Sequence, residues 1–207
     1  MAGARPPWRF AVRILPLSVP ILLCLTATLS AGPFHDAVRD GDVVAVKQLL
    51  DKGAAPSDTD ETGEPPLIIA ALAGRPEVIA LLVERGADVK ARNRGGLTAL
   101  HAAAYAGNID VVEMLVARGA DVNDAGNFYH MTPLHGAAEE GHADVVAFLL
   151  AQKVDIEAKE RNGYTPLTQA GWRSHWEAAE LLLKAGASCQ KAELVGDWLY
   201  AECTKRQ

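Results

Sequence analysis

Residues 132–141 read TPLHGAAEEG, and the physical content of these ten residues decides the fold. Thr132 carries a hydroxyl suited to capping the first turn of a helix, and Pro133 suits the first helical position, where its missing N–H is not needed. Gly141 supplies a residue free to enter the left-handed region and end the helix after two turns. The Ala137–Ala138 pair between them lets a neighbouring helix approach closely. Beyond the glycine, a second helix is expected from about Asp144, an acid favoured by the helix dipole at an N-terminus. It places Val145, Val146, Leu149 and Leu150 on one face.

The same pattern recurs along the chain. Tetrapeptides equivalent to Thr132–His135 begin at Gly32, Pro65, Thr98, Thr132 and Thr165, so successive starts lie 33, 33, 34 and 33 residues apart. Nine positions after each start stand Gly41, Gly74, Gly107, Gly141 and Ser174, and twelve positions further come Gly53, Gly86, Gly119, Lys153 and Gly186. A fixed period near 33 residues is the signature of a repeat architecture. One helical hairpin cannot bury its apolar face alone, so the units must stack into an elongated solenoid.

With its TPLH tetrapeptide, its central glycine and closers such as Gly86-Ala87-Asp88-Val89 and Gly119-Ala120-Asp121-Val122-Asn123, the chain resembles the ankyrin-repeat family. The resemblance spans residue 32 to about 188. It implies an all-α ankyrin-repeat solenoid of about five helix-turn-helix units, near 32–60, 61–93, 94–127, 128–160 and 161–188, with finger loops between them. The late fourth start places one extra residue in the finger at 121–131, near Gly126. Departures are expected to be local: the first unit lacks Thr at its start, the second has Ile68 in the histidine slot, and Lys153 stands where a left-handed glycine belongs, at a cost of about 1 kcal/mol. From residue 189 to 207 the repeat stops, and Leu194, Val195, Trp198 and Leu199 recur at helical spacing. They suit a C-terminal helical cap, or else a tail helix that binds a partner.

Residues 1–31 contain Arg5, Arg9 and Arg13, no acidic residue, an apolar stretch over 14–29 broken by Pro16 and Pro20, and small residues at Ser30 and Ala31. This is the layout of a secretory signal peptide. An uncleaved anchor is the alternative, although a spanning helix needs roughly twenty apolar residues. Export on such a fold resembles exported bacterial ankyrin-repeat proteins, so a periplasmic or secreted location is expected. Loss of the three arginines from the twenty basic residues leaves 17 against 26 carboxylates, about −9. That balance disfavours nucleic acid, which is bound by clustered Lys and Arg. It would also leave Cys189 and Cys203 as the only cysteines. They suit a disulfide in an oxidising compartment, against the alternatives of two free buried thiols or a reactive redox pair.

Chemistry has few candidates. His35, His101 and His135 occupy the tetrapeptide slot, where the resemblance implies backbone hydrogen bonds between units. His142 and His175 follow the central Gly or Ser, and only His130 lies off the pattern. P-loop, HExxH, CxxC and GxSxG motifs are missing. No enzyme activity, cofactor or metal is therefore expected. The resemblance implies instead a protein partner, of unspecified identity, held on the concave side by finger tips and the ends of the first helices. On repeats three to five those positions carry Arg94, Leu97, Tyr105, Phe128, Tyr129, Met131, Glu139, Glu140, Arg161, Tyr164, Trp172 and Arg173. Five of them are aromatic, and Tyr, Trp and Arg are common hot-spot residues. The competing expectation is that Phe128 and Tyr129 fold back to fill space in the longer finger.

Overall fold

The computed structural model describes residues 32–189 together with Tyr200, Ala201, Cys203 and Lys205. The expected signal or anchor in residues 1–31, and the apolar residues Leu194, Val195, Trp198 and Leu199 of the expected cap, lie outside the described residues. No strand occurs among the described residues, and ten helices within residues 33–184 are arranged as five antiparallel pairs, with Tyr200, Ala201, Cys203 and Lys205 also helical. The pairs are α1 (Pro33–Asp40) with α2 (Val43–Asp51), α3 (Pro66–Leu72) with α4 (Pro76–Glu84), α5 (Ala99–Ala106) with α6 (Ile109–Ala117), α7 (Pro133–Glu140) with α8 (Ala143–Ala151), and α9 (Pro166–Trp172) with α10 (Trp176–Lys184).

Each first helix starts where its capping residue dictates. Thr98 and Thr132 form capping boxes with His101 and His135, the hydroxyl accepting from the third helical N–H while the imidazole Nδ1 accepts from the threonine's own N–H at 3.3 and 3.1 Å. An Nδ1 that accepts leaves the proton on Nε2. His101 Nε2–H reaches Met131 O at 2.9 Å and His135 Nε2–H reaches Tyr164 O at 3.1 Å, carbonyls of the finger leading into the next unit. One side chain thus caps its own helix and ties it to the following repeat. Burial holds both imidazoles neutral by pushing their pKa down, that of His135 to about 4.

The glycine that follows four of the five first helices meets two demands. Gly107 and Gly141 have φ of 74° and 78°, which favours glycine. In addition, a Cβ on either would collide with the ring of the histidine one repeat further on, at 2.4 Å from His142 or His175 Nδ1. That neighbouring position reaches back to satisfy the helix end. Arg75 Nε donates to Arg39 O at 3.0 Å, Asn108 Nδ2 to Ala71 O at 2.9 Å, and His142 Nε2 bonds Tyr105 O at 2.9 Å.

Packing runs as one core from Phe34 to Ala187. Leu67, Leu100, Leu134 and Leu167 of the first helices, and Leu82, Leu115, Leu149 and Leu182 of the second, are almost fully buried. Adjacent first helices pack closely across buried small residues, whereas adjacent second helices touch sparsely. The stack therefore bends with its first helices on the inner, concave side. Beyond α10, Cys203 is buried against this core, and its Cα lies 5.9 Å from that of Cys189, within disulfide distance. The extra residue of the third finger falls at Ala125–Gly126, because Asp124 N still bonds Asp121 O as Ala91 N bonds Asp88 O one repeat earlier, while the turns beyond are shifted by one.

Lys153 and Ser174 hold the left-handed region at φ 59° and 63°. Replacing Lys153 with glycine should stabilise the chain by about 1 kcal/mol and raise its thermal midpoint by roughly 2–4 °C, whereas Gly119→Ala should lower it. Helical circular dichroism during heating measures both. The histidines add a pH dependence. Below pH 6.5 the unfolded chain binds a proton at position 135 that the folded chain refuses until about pH 4. Folding stability should therefore be full above pH 6.5 and fall by about 2 kcal/mol between pH 7 and 5. Denaturant titrations across that range should show the fall, and His135→Gln should flatten it.

Candidate functional site

The fingers owe their shape to one repeated device. Asp60, Asn93, Asn127 and Glu160 each accept from the backbone N–H two and four residues further on, at 2.8–3.2 Å, closing the turn over their own side chain. Between those two N–H groups sits a left-handed residue, Gly63, Gly96 and Gly163 in the first, second and fourth fingers and His130, at φ 57°, in the third. His130 is thus a substitute for a turn glycine. Neighbouring fingers are tied side by side, Phe128 N donating to Gly95 O at 2.9 Å and Arg161 N to Tyr129 O at 2.8 Å.

This framework fixes where the expected partner-binding residues stand. Phe128 is 61% and Trp172 48% exposed, so Phe128 projects outward and does not fill the longer finger. Tyr129 packs edge-on against Phe128 with ring centroids 5.1 Å apart, and the Arg161 guanidinium lies over the Phe128 ring at 4.4 Å. Tyr164 packs on Trp172 at 4.4 Å between centroids. Tyr105, half-buried, donates its hydroxyl to Glu140; burial, reinforced by that carboxylate, pushes its pKa up to about 12 and keeps it a neutral donor. Leu97 is half-buried and Arg94 exposed, its guanidinium reaching Glu61 O at 3.4 Å.

Two expected contact residues lie inside instead. Met131 is 4% exposed because its finger turns inward at Asn127, whose amide holds the Met131 carbonyl at 2.6 Å. Glu139 is buried beneath Arg173 of the next repeat, which pairs with it at 2.7 Å. The pair raises the Arg173 pKa through its hydrogen bond to Glu139. The side chains of Met131 and Glu139 are thus withdrawn from the surface.

Charge is divided between the two sides of the stack. The second helices carry Asp51, Glu77, Glu84, Asp110, Glu113, Asp144, Glu177 and Glu180 against Lys47 and Lys184. The concave rim of repeats three to five carries Arg94, Arg161 and Arg173 against Glu139 and Glu140. The fingers themselves are mixed in charge, with Glu160 beside Arg161 and Asp124 paired with Arg92. The arrangement offers stiffly held rings and guanidinium groups along a concave face, which is a recognition chemistry. Sequence position alone could not distinguish Met131 and Glu139 from their exposed neighbours. The finger-closing Asp, Asn and Glu carry no common sequence signature, because they share only an acceptor oxygen.

No match was found among curated proteins. A family model described as ankyrin repeats (three copies) matches residues 34–126 and 122–193. These matches cover the described helical pairs and most of the chain. The chain belongs to the ankyrin-repeat family.

Proposed function

We infer that this chain works as ankyrin repeats generally do, as a non-enzymatic scaffold for protein–protein interaction. We propose that this chain holds a partner protein on the concave surface of repeats three to five, in an extracytoplasmic compartment, without catalysing a reaction. The observation that carries the reading is the aromatic and arginine shelf in which Phe128, Arg161 and Trp172 are exposed and Tyr129 and Tyr164 lie half-buried beside them. Rings already held by backbone ties lose little freedom on binding, and hot spots concentrate in Trp, Tyr and Arg. Arg94, Leu97, Tyr105, Glu140 and Arg173 complete the surface, and Met131 and Glu139 support it from beneath.

Export is supported by the basic, apolar and small-residue order of residues 1–31, and by the disulfide distance between Cys189 and Cys203. A bond there closes a short loop and would stabilise the cap by roughly 3 kcal/mol. The second reading retains residues 14–29 as an anchor and tethers the same scaffold to a membrane. None of the described helices is long and apolar enough to cross one. The acid excess favours a protein over a nucleic acid as the partner.

Capture of partner from the appropriate compartment by the mature chain should fall at least tenfold in Trp172→Ala and Phe128→Ala, with melting temperature nearly unchanged because both side chains are exposed. Undiminished capture would remove the site assignment, and a large loss of stability would make these rings packing residues. N-terminal sequencing of the protein from its native host should find a chain starting near residue 31 or 32; an intact N-terminus favours the anchor. Thiol titration of the unfolded protein should find Cys189 and Cys203 reactive only after reduction. Two reactive thiols without reductant would exclude the bond.

A further inference from the structure

Arg161 differs from the other arginines of the rim. Arg173 is committed to the Glu139 carboxylate at 2.7 Å, and Arg94 reaches the Glu61 carbonyl at 3.4 Å. Arg161 instead lies over the Phe128 ring, with its guanidinium carbon 4.4 Å from the ring centroid, and among the described residues it has no carboxylate partner. A ring offers the guanidinium no acceptor oxygen. The guanidinium N–H donors lie in its plane and remain available in the fork geometry that matches a carboxylate. Both members of the pair are fixed through their backbones, Phe128 N to Gly95 O and Arg161 N to Tyr129 O. These ties hold the two backbones side by side, and the ring contact itself restricts the arginine side chain before binding.

Accepting the concave-face reading above, we infer that Arg161 is a carboxylate receptor, and that the partner docks through an extended acidic segment. An Asp or Glu of that segment takes the fork of Arg161, and an apolar side chain a few residues away rests on Trp172. Tyr164 links the two points. It shares the finger turn of Arg161, its carbonyl accepting from Glu160 N at 3.0 Å, and packs on Trp172 at 4.4 Å. An acidic segment suits this place because the rim carboxylates are already engaged, Glu139 by Arg173, Glu140 by the Tyr105 hydroxyl and Glu160 by the N–H groups of its own turn, so none of them takes the Arg161 fork. A partner basic along its whole docking segment would meet the arginines of the rim instead.

A random peptide library displayed on phage tests this, selected separately on the wild-type chain and on Arg161→Glu. The wild type should enrich peptides with Asp or Glu at a fixed distance from an aromatic or aliphatic residue, and the Arg161→Glu variant should enrich Lys or Arg at that place. Synthetic versions of the wild-type peptides should bind Arg161→Glu and Arg161→Lys at least tenfold more weakly, since lysine keeps the charge but not the fork. Unchanged melting curves would show that the variants fold. Peptides that need Trp172 but share no acidic residue, or that bind Arg161→Glu equally well, overturn the inference and leave the concave-face reading standing. Peptides indifferent to Trp172→Ala and Phe128→Ala overturn both. Reversible self-association that disappears in Arg161→Glu would assign the site to the acidic second helices of another copy, and so overturn the extended segment as its occupant.

Discussion

Adjacent first helices meet through Ala70, Ala71, Ala103, Ala104, Ala137, Ala138 and Gly171, all buried, and the rest of the architecture follows from how near that lets them come. Close approach puts each central turn within reach of the next repeat. The side chains of Arg75, Asn108 and His142 can then satisfy carbonyls that a two-turn helix would leave bare. The same approach fills the space above Gly107 and Gly141, so those positions exclude a Cβ for steric as well as conformational reasons. Without the neighbour, these turns would have unpaired groups and the helices would be too short to persist.

The regular parts of this design were legible in the residues. Thr98 and Thr132 start helices, Gly107 and Gly141 end them, and Lys153 occupies a left-handed slot where its register demands glycine. The one-residue insertion could also be placed near Gly126, because a period that slips and recovers localises its own fault. These features are read from residue type and spacing because their causes are local. The turn-closing oxygens of Asp60, Asn93, Asn127 and Glu160 were harder to see, since the turn requires an acceptor and not a particular residue. Arginine, asparagine and histidine likewise perform one reach-back task. The burial of Glu139 depended on where Arg173 goes, a contact across 34 residues that helix periodicity does not encode.

That contact also shapes the candidate surface. An uncompensated carboxylate at position 139 would be costly to bury. Pairing it under Arg173 removes both charges from competition, and the Glu140 carboxylate takes the Tyr105 hydroxyl in a similar way. The polar groups of the first-helix ends are thereby used internally, and what faces outward is mostly ring surface.

Exposed rings would ordinarily collapse onto one another or onto the framework. Here they are separated by their attachment: Phe128 and Tyr129 ride on a finger anchored to Gly95, and Trp172 ends a helix whose start is fixed by Thr165. Tyr164 supports Trp172 from one side, yet the indole stays about half exposed. Arg161 covers one face of Phe128 and keeps that ring from being wholly apolar to solvent. Such a surface tolerates water in the free state and loses little freedom when a partner displaces it, a combination that suits selective binding better than simple hydrophobic burial.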